Sequence, residues 1–166
     1  FHYVIRHGIS ILVAAAAAFL TYKVSLNIWF NNTFPLWLMT ILLLAVVLIV
    51  GTEVNGSTRW IRIAGFTLQA SEVAKVMMAI FTADYAVRRA EEVRNNLSGL
   101  FRLGGVMVIT VGLILAEPDL GATAVIVLMI LGVFFLAGAP PIQFIGFMLA
   151  IILGLAAAII FEPYRL

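Results

Sequence analysis

The chain has 166 residues, of which 64% are hydrophobic and only 11% charged, with a net charge of +2 and a mean hydropathy of +1.15. A soluble domain is about half apolar and roughly a quarter charged, so this composition excludes an ordinary soluble fold and places the chain in lipid. Without cysteine there is neither a disulfide framework nor a thiolate metal site, and the redox compartment stays open. The chain begins with Phe1 and carries no visible signal peptide, as expected of an internal piece of a longer protein.

Crossing about 30 Å of hydrocarbon takes roughly 20 apolar residues in a helix. An uncharged run between Arg6 and Lys23 predicts a first span near 7–24. Asn27, Asn31, Asn32 and Pro35 interrupt the next run, so the second span is expected at 34–50. The stretch Gly51–Lys75 is the one long polar interruption, and it reads as a glycine-punctuated loop carrying Glu53, Arg59, Trp60 and Arg62. A third span at 70–87 takes Glu72, Lys75 and Asp84 into an apolar run, where ionisable groups are costly and face a cavity or a partner. Residues 88–102, RRAEEVRNNLSGLFR, read as an aqueous loop before a fourth span at 103–116. No charge appears from Leu120 to Phe161, and Gly138-Ala139-Pro140-Pro141 divides that length into spans at 120–137 and 142–161. The fold class expected is therefore all-α, a polytopic transmembrane helix bundle of about six spans. Arginine density favours residues 88–102 inside, with the Gly51–Gln69 loop, the Glu117–Asp119 turn and the C-terminal FEPYRL outside. Arg88 and Arg89 are assigned to topology and lipid contact.

Gln69, Glu72, Lys75 and Ala79 recur at spacings of three and four and share a helix face. That face is either an intrahelical Glu72–Lys75 pair with Lys75 snorkelling to water, or the wall of a polar cavity. Glu117-Pro118-Asp119 makes a good helix start by itself, since proline and acids suit a first turn. The alternative is that Asp119 points inward and pairs with Lys75. Arg59, Trp60 and Arg62 serve best as an interfacial anchor, although guanidinium groups also recognise phosphate. His2 and His7 lack metal-ligand spacing, and no phosphate loop, zinc pattern or nucleophile elbow occurs. By residues alone, a transporter and an enzyme acting on a lipid-borne substrate fit equally.

Three stretches in order, NGSTRWIRIAGFTLQASEVAK, AEPDLGATAVI and FEPYRL, resemble the SEDS family of FtsW/RodA-like peptidoglycan polymerases across essentially the whole chain. The RRAEEVRNNLSGL segment is most similar to the gammaproteobacterial cell-division branch. The resemblance implies a ten-helix bacterial inner-membrane protein at the division septum, of which this chain would be helices 2 to 7. The N-terminal helix, large outer loop and C-terminal helices would lie outside it. It implies glycosyl transfer that joins lipid II into glycan strands with undecaprenyl pyrophosphate leaving. A carboxylate would take the acceptor proton, and positive or metal charge would stabilise the pyrophosphate. The expected catalytic aspartate lies beyond Leu166, so no catalytic residue is assigned within this chain. The motif match carries over a cavity wall of Arg59, Trp60, Gln69, Glu72, Lys75, Glu117, Asp119 and Gly121. Ala70 stands where the family usually has proline, and Thr67 where some members carry a basic residue. No cofactor is specified beyond the option of a divalent cation such as magnesium. The implied partners are lipid II, membrane lipid, an FtsI-like class B penicillin-binding protein and other division proteins, with no nucleic acid. A lipid II flippase, a RodA-type elongation polymerase and a division scaffold are the competing readings.

Overall fold

A computed structural model describes the backbone of residues 2–54, 57–63 and 66–161, and the side chains of 4–5, 7–52, 59–61, 67–154 and 156. Two compact units divide the chain after Asn32. The first holds helix α1 (His2–Lys23) and the short α2 (Leu26–Asn31). Its apolar side chains are exposed nearly throughout, as lipid-facing residues are. Lys23 closes α1 over the Phe19 ring at 5.3 Å, and Asn32 Nδ2 donates to the Ile28 carbonyl at the end of α2.

The second unit contains α3 (Thr33–Val50), strands β1 (Thr52–Val54), β2 (Ser57–Ile63) and β3 (Phe66–Gln69), then α4 (Ala70–Arg88) and α5 (Ala90–Asn95). It ends with α6 (Leu97–Ala116), α7 (Leu120–Leu136) and α8 (Pro141–Phe161). Among the described residues α3 and α6 are long and apolar enough to cross a membrane, and shorter apolar stretches lie in α1, α7 and α8. The architecture is an all-α polytopic membrane bundle with one small sheet.

Helix α4 is the most polar of the long helices, yet one stripe of it is fully packed. Its buried side chains are Ala70, Ser71, Ala74, Met78, Thr82 and Ala86, recurring every four residues. Small residues along this stripe let neighbouring backbones approach closely, which is how helices associate where lipid offers no hydrophobic drive. Leu44 and Val47 of α3, Leu103 and Ile114 of α6, and Ile126, Ile130 and Phe134 of α7 complete the core. A polar tie crosses it: Trp37 Nε1 donates to Thr110 Oγ1 at 3.0 Å, and Thr110 in turn donates to the Val106 carbonyl at 2.9 Å. Each group has a partner, as burial in low dielectric requires.

Two expectations are corrected. The segment after Gly51 is not an irregular loop but a three-stranded antiparallel meander in the order β1-β2-β3. Its strands are rich in β-branched and aromatic residues, which suit a pleated, half-buried surface. Residues 88–102 are not a loop either, because α4 runs to Arg88, α5 follows, and α6 begins at Leu97. The charges there pair with one another: Arg89 with Glu92 one helical turn on at 2.5 Å, and Arg102 of α6 with Glu92 of α5 at 2.9 Å. Val93, Gly99 and Leu100 are buried beneath them. The far end of α7 closes on Gly138 at φ +80°, and Arg94 Nε caps the Ala137 carbonyl at 3.0 Å. The side chains of Glu53 and Arg62, and residues 162–166 of the FEPYRL stretch, lie outside the described residues.

Candidate functional site

The site forms where α6 ends and α4 and α7 begin. Asp119 is the N-cap of α7, and its Oδ1 accepts from the Ala122 backbone N–H at 3.0 Å. Antiparallel pairing of β2 and β3 sets Trp60 opposite Gln69, which brings the neighbouring Arg59 and Gln69 to the same end of the sheet. From there Gln69 Nε2 donates to Asp119 Oδ2 at 2.8 Å, and Ser71 Oγ donates to the same oxygen at 2.9 Å. Arg59 lies 3.8 Å from Asp119 Oδ1. One buried carboxylate thereby ties together β2, the start of α4 and the start of α7. The Arg59 side chain stays 33% exposed, so its guanidinium faces the aqueous side as well as the acid.

Glu117, two residues earlier in the same turn, is fully buried. Burial pushes its carboxyl up to about 7, the Asp119 charge pushes in the same direction, and Arg59 opposes both. Among the described residues the Arg59 guanidinium lies beside this pair of acids.

The FtsW/RodA/SpoVE family model, described as cell cycle protein, matches residues 1–166. The chain belongs to this family. It is 70% identical over its whole length to the protein of Acinetobacter baylyi named "Probable peptidoglycan glycosyltransferase FtsW", and 40% identical to the protein of the same name from Idiomarina loihiensis. The chain spans 42% and 41% of those two relatives. Among solved structures it is similar to the rod shape determining protein RodA of Thermus thermophilus, at a TM-score of 0.76 and 27% identity, covering 89% of this chain and 49% of that one. A structure described as "Structural coordination of polymerization and crosslinking by a peptidoglycan synthase complex" matches at a TM-score of 0.79 and 27% identity, over 96% of this chain and 47% of that one.

Within this SEDS frame the structure sorts the eight cavity-wall candidates. Arg59, Gln69 and Asp119 meet directly, and Glu117 is buried beside them. The expected Lys75–Asp119 pair is not formed. Asp119 sits level with the first turn of α4, whereas Lys75 lies one turn further on, about 6 Å along the axis. Lys75 Nζ instead meets Glu72 Oε1 at 2.7 Å, with the two side chains 24% and 60% exposed. That is the intrahelical pair. Trp60 is half-buried, and its carbonyl accepts from Thr52 Oγ1 at 3.0 Å. Gly121 is exposed, and a Cβ added there would make an ordinary 3.7 Å contact with Asp119 Oδ1.

Ser71 is the participant that sequence reading misses. Nothing in the local pattern links it to Asp119, 48 positions away. Among the described residues no three His, Asp or Glu side chains are grouped to hold a metal ion. The Asp119 oxygens accept from three donors, which leaves little of that carboxylate for a cation.

Proposed function

We propose that this chain is the central helical portion of a septal peptidoglycan glycosyltransferase, which polymerises lipid II into glycan strands in the inner membrane of a dividing bacterium. The observation that carries this reading is 70% identity along all 166 residues to a protein named for that activity. The chain contributes the end of the bundle on which substrate rests. Arg59, held by Asp119 but a third exposed, offers a planar fork of N–H donors to a pyrophosphate. Asp119 positions that fork by locking β2 to the starts of α4 and α7. Lys75 and Glu72 supply a further polar pair on the exposed flank of α4. The base that takes the acceptor proton is expected outside this chain. In this orientation the Asp119 turn faces outward and residues 88–102 face the cytoplasm, and the enzyme works with a class B penicillin-binding protein that crosslinks its strands.

The test is lipid II polymerisation by the full-length parent with its cognate penicillin-binding protein, comparing wild type with Arg59→Gln, Asp119→Asn and Lys75→Ala. Glycan strands from wild type and none from folded Arg59→Gln would support the reading. Strands from every variant would reduce these residues to scaffolding. If active partner and substrate give no strands with wild type, while lipid II crosses vesicles, the protein is a transporter.

A further inference from the structure

The opposite end of the bundle holds a second polar site that the polymerisation reading does not use. Where α3 begins, α4 ends and α6 begins, a cleft of about 390 Å³ opens. Phe34, Phe81 and Tyr85 form its apolar side, and the guanidinium groups of Arg88, Arg89 and Arg102 its basic side, with Asp84 among them. Asp84 binds Arg88 at 2.6 Å and also accepts from Thr33 Oγ1 at 2.9 Å. Glu92 accepts from both Arg89 and Arg102. Three guanidinium groups thus meet two carboxylates among the described residues of the cleft, and each of the three arginine side chains remains about half exposed.

Position decides what anion would meet this charge. The helices α3 and α6, both long and apolar enough to cross a membrane, begin at this cleft. Its surroundings present exposed Phe34, Val87, Leu97 and Phe101. A basic cleft bordered by exposed aromatic and aliphatic side chains lies at the boundary between hydrocarbon and water. A phosphodiester with acyl chains meets both halves of that surface at once, because planar guanidinium recognises phosphate bidentately while the rings accept the chains. A soluble phosphate would use only the basic half.

We propose that the cleft between the start of α3, the end of α4 and the start of α6 seats the headgroup phosphate of an anionic phospholipid on Arg88, Arg89 and Arg102, with its acyl chains against Phe34 and Phe101. The carboxylates Asp84 and Glu92 offset the mutual repulsion of the arginines and hold their guanidinium groups in place. The proposal is independent of glycosyl transfer and concerns only the membrane neighbour of this end.

The experiment titrates the detergent-solubilised full-length parent with phosphatidylglycerol, phosphatidylcholine or glycerol 3-phosphate, and follows Tm together with bound lipid by native mass spectrometry. Phosphatidylglycerol should raise Tm and stay bound, while the other two leave both readouts unchanged. Replacing Arg88, Arg89 and Arg102 together by Gln should weaken phosphatidylglycerol binding about a hundredfold, and Arg102→Gln alone about fivefold. The single variant keeps the test open if the triple one fails to fold, since Arg102 is exposed and its ion pair is with Glu92. An equal Tm rise with phosphatidylcholine, or with glycerol 3-phosphate, overturns the proposal. So does wild-type affinity for phosphatidylglycerol in the folded Arg102→Gln variant.

Discussion

The two ends of the helix bundle use charge in opposite ways. At one end Asp119 is buried and takes three hydrogen bonds from groups on three different elements, with the Arg59 guanidinium at 3.8 Å. At the other, Asp84 and Glu92 pair with arginines that are about half exposed, mostly within one helical turn of themselves. Buried polar networks carry large penalties when broken, whereas exposed ion pairs contribute little. The first end is therefore a structural joint as well as a candidate substrate surface, and the second a solvated patch free to recognise something else.

The sharpest way to break this contrast is Asp119→Ala. It would leave Gln69, Ser71 and the Ala122 N–H without their acceptor and should destabilise the full-length protein by about 3 kcal/mol, read as thermal unfolding in detergent. Asp119→Asn should cost about half as much, because one oxygen still accepts. A loss below about 1 kcal/mol for the alanine variant would mean that water replaces the network, and the two ends would then be alike.

Glu117 gives the next effect, through pH. Its carboxyl lies at about 7 in the folded protein, above the ordinary carboxylate value of 4.5. The folded state thus binds the proton more tightly than the unfolded chain. The penalty for ionising Glu117 is absent below the unfolded value, grows as pH rises from about 4.5, and is complete above about 7. Wild type should lose on the order of 3 kcal/mol across that window, and Glu117→Gln should remove this slope. An unchanged slope in the Gln variant would show that Glu117 stays solvated.

At the opposite end, packing should outweigh charge. A Cβ on Gly99 would meet the Glu92 carbonyl oxygen and carbon at 2.9 Å, both backbone atoms that cannot swing aside. Gly99→Ala should accordingly cost about 1 to 3 kcal/mol by forcing α5 from α6. Glu92→Gln should cost far less, and only where the acid is charged. Its hydrogen bond from Arg89 holds the carboxyl below the usual range, partly offset by desolvation, with Arg102 adding to the lowering. That contribution is present above the unfolded carboxylate value and lost as pH falls through the folded one. Comparing the two variants by thermal unfolding at pH 7 and pH 4 would reverse the argument if Glu92→Gln proved the more damaging.

Much of this was legible in the residues. Uninterrupted apolar runs bounded by Lys23, Asn32, Glu117 and Gly138 mark helices because a buried backbone must satisfy itself within each segment. The three motifs carried the family. What escaped reading was pairing at a distance. STRWIRI alternates in a way that suits a strand, and Asn55-Gly56 is a strong hairpin dipeptide, yet the charges of that stretch drew it toward a loop. The helicity of 88–102 was hidden by the same bias, since its charges pair with one another and leave Val93 and Leu100 to the core. Asp119 was legible as a helix cap. Its choice of Gln69 and Ser71 over Lys75 depends on how far α4 has advanced when it passes the turn, a distance that no spacing within one helix encodes.

Lys75 is the intermediate case between the two ends, and it yields the smallest expected coupling. It lies one turn from the buried network, on a helix whose stripe is packed, but its partner Glu72 is mostly exposed. If Asp119 acts only through its own neighbours, Gln69→Ala and Asp119→Ala should couple by about 1 kcal/mol or more, while Lys75→Ala and Asp119→Ala should add within about 0.5 kcal/mol. The same variants measured for lipid II polymerisation separate stability from substrate contact. Lys75→Ala with wild-type unfolding and lost polymerisation would put the exposed Lys75–Glu72 pair against the substrate. Strong coupling to Asp119 in the unfolding series would instead extend the buried joint one turn along α4, and make Lys75 part of it.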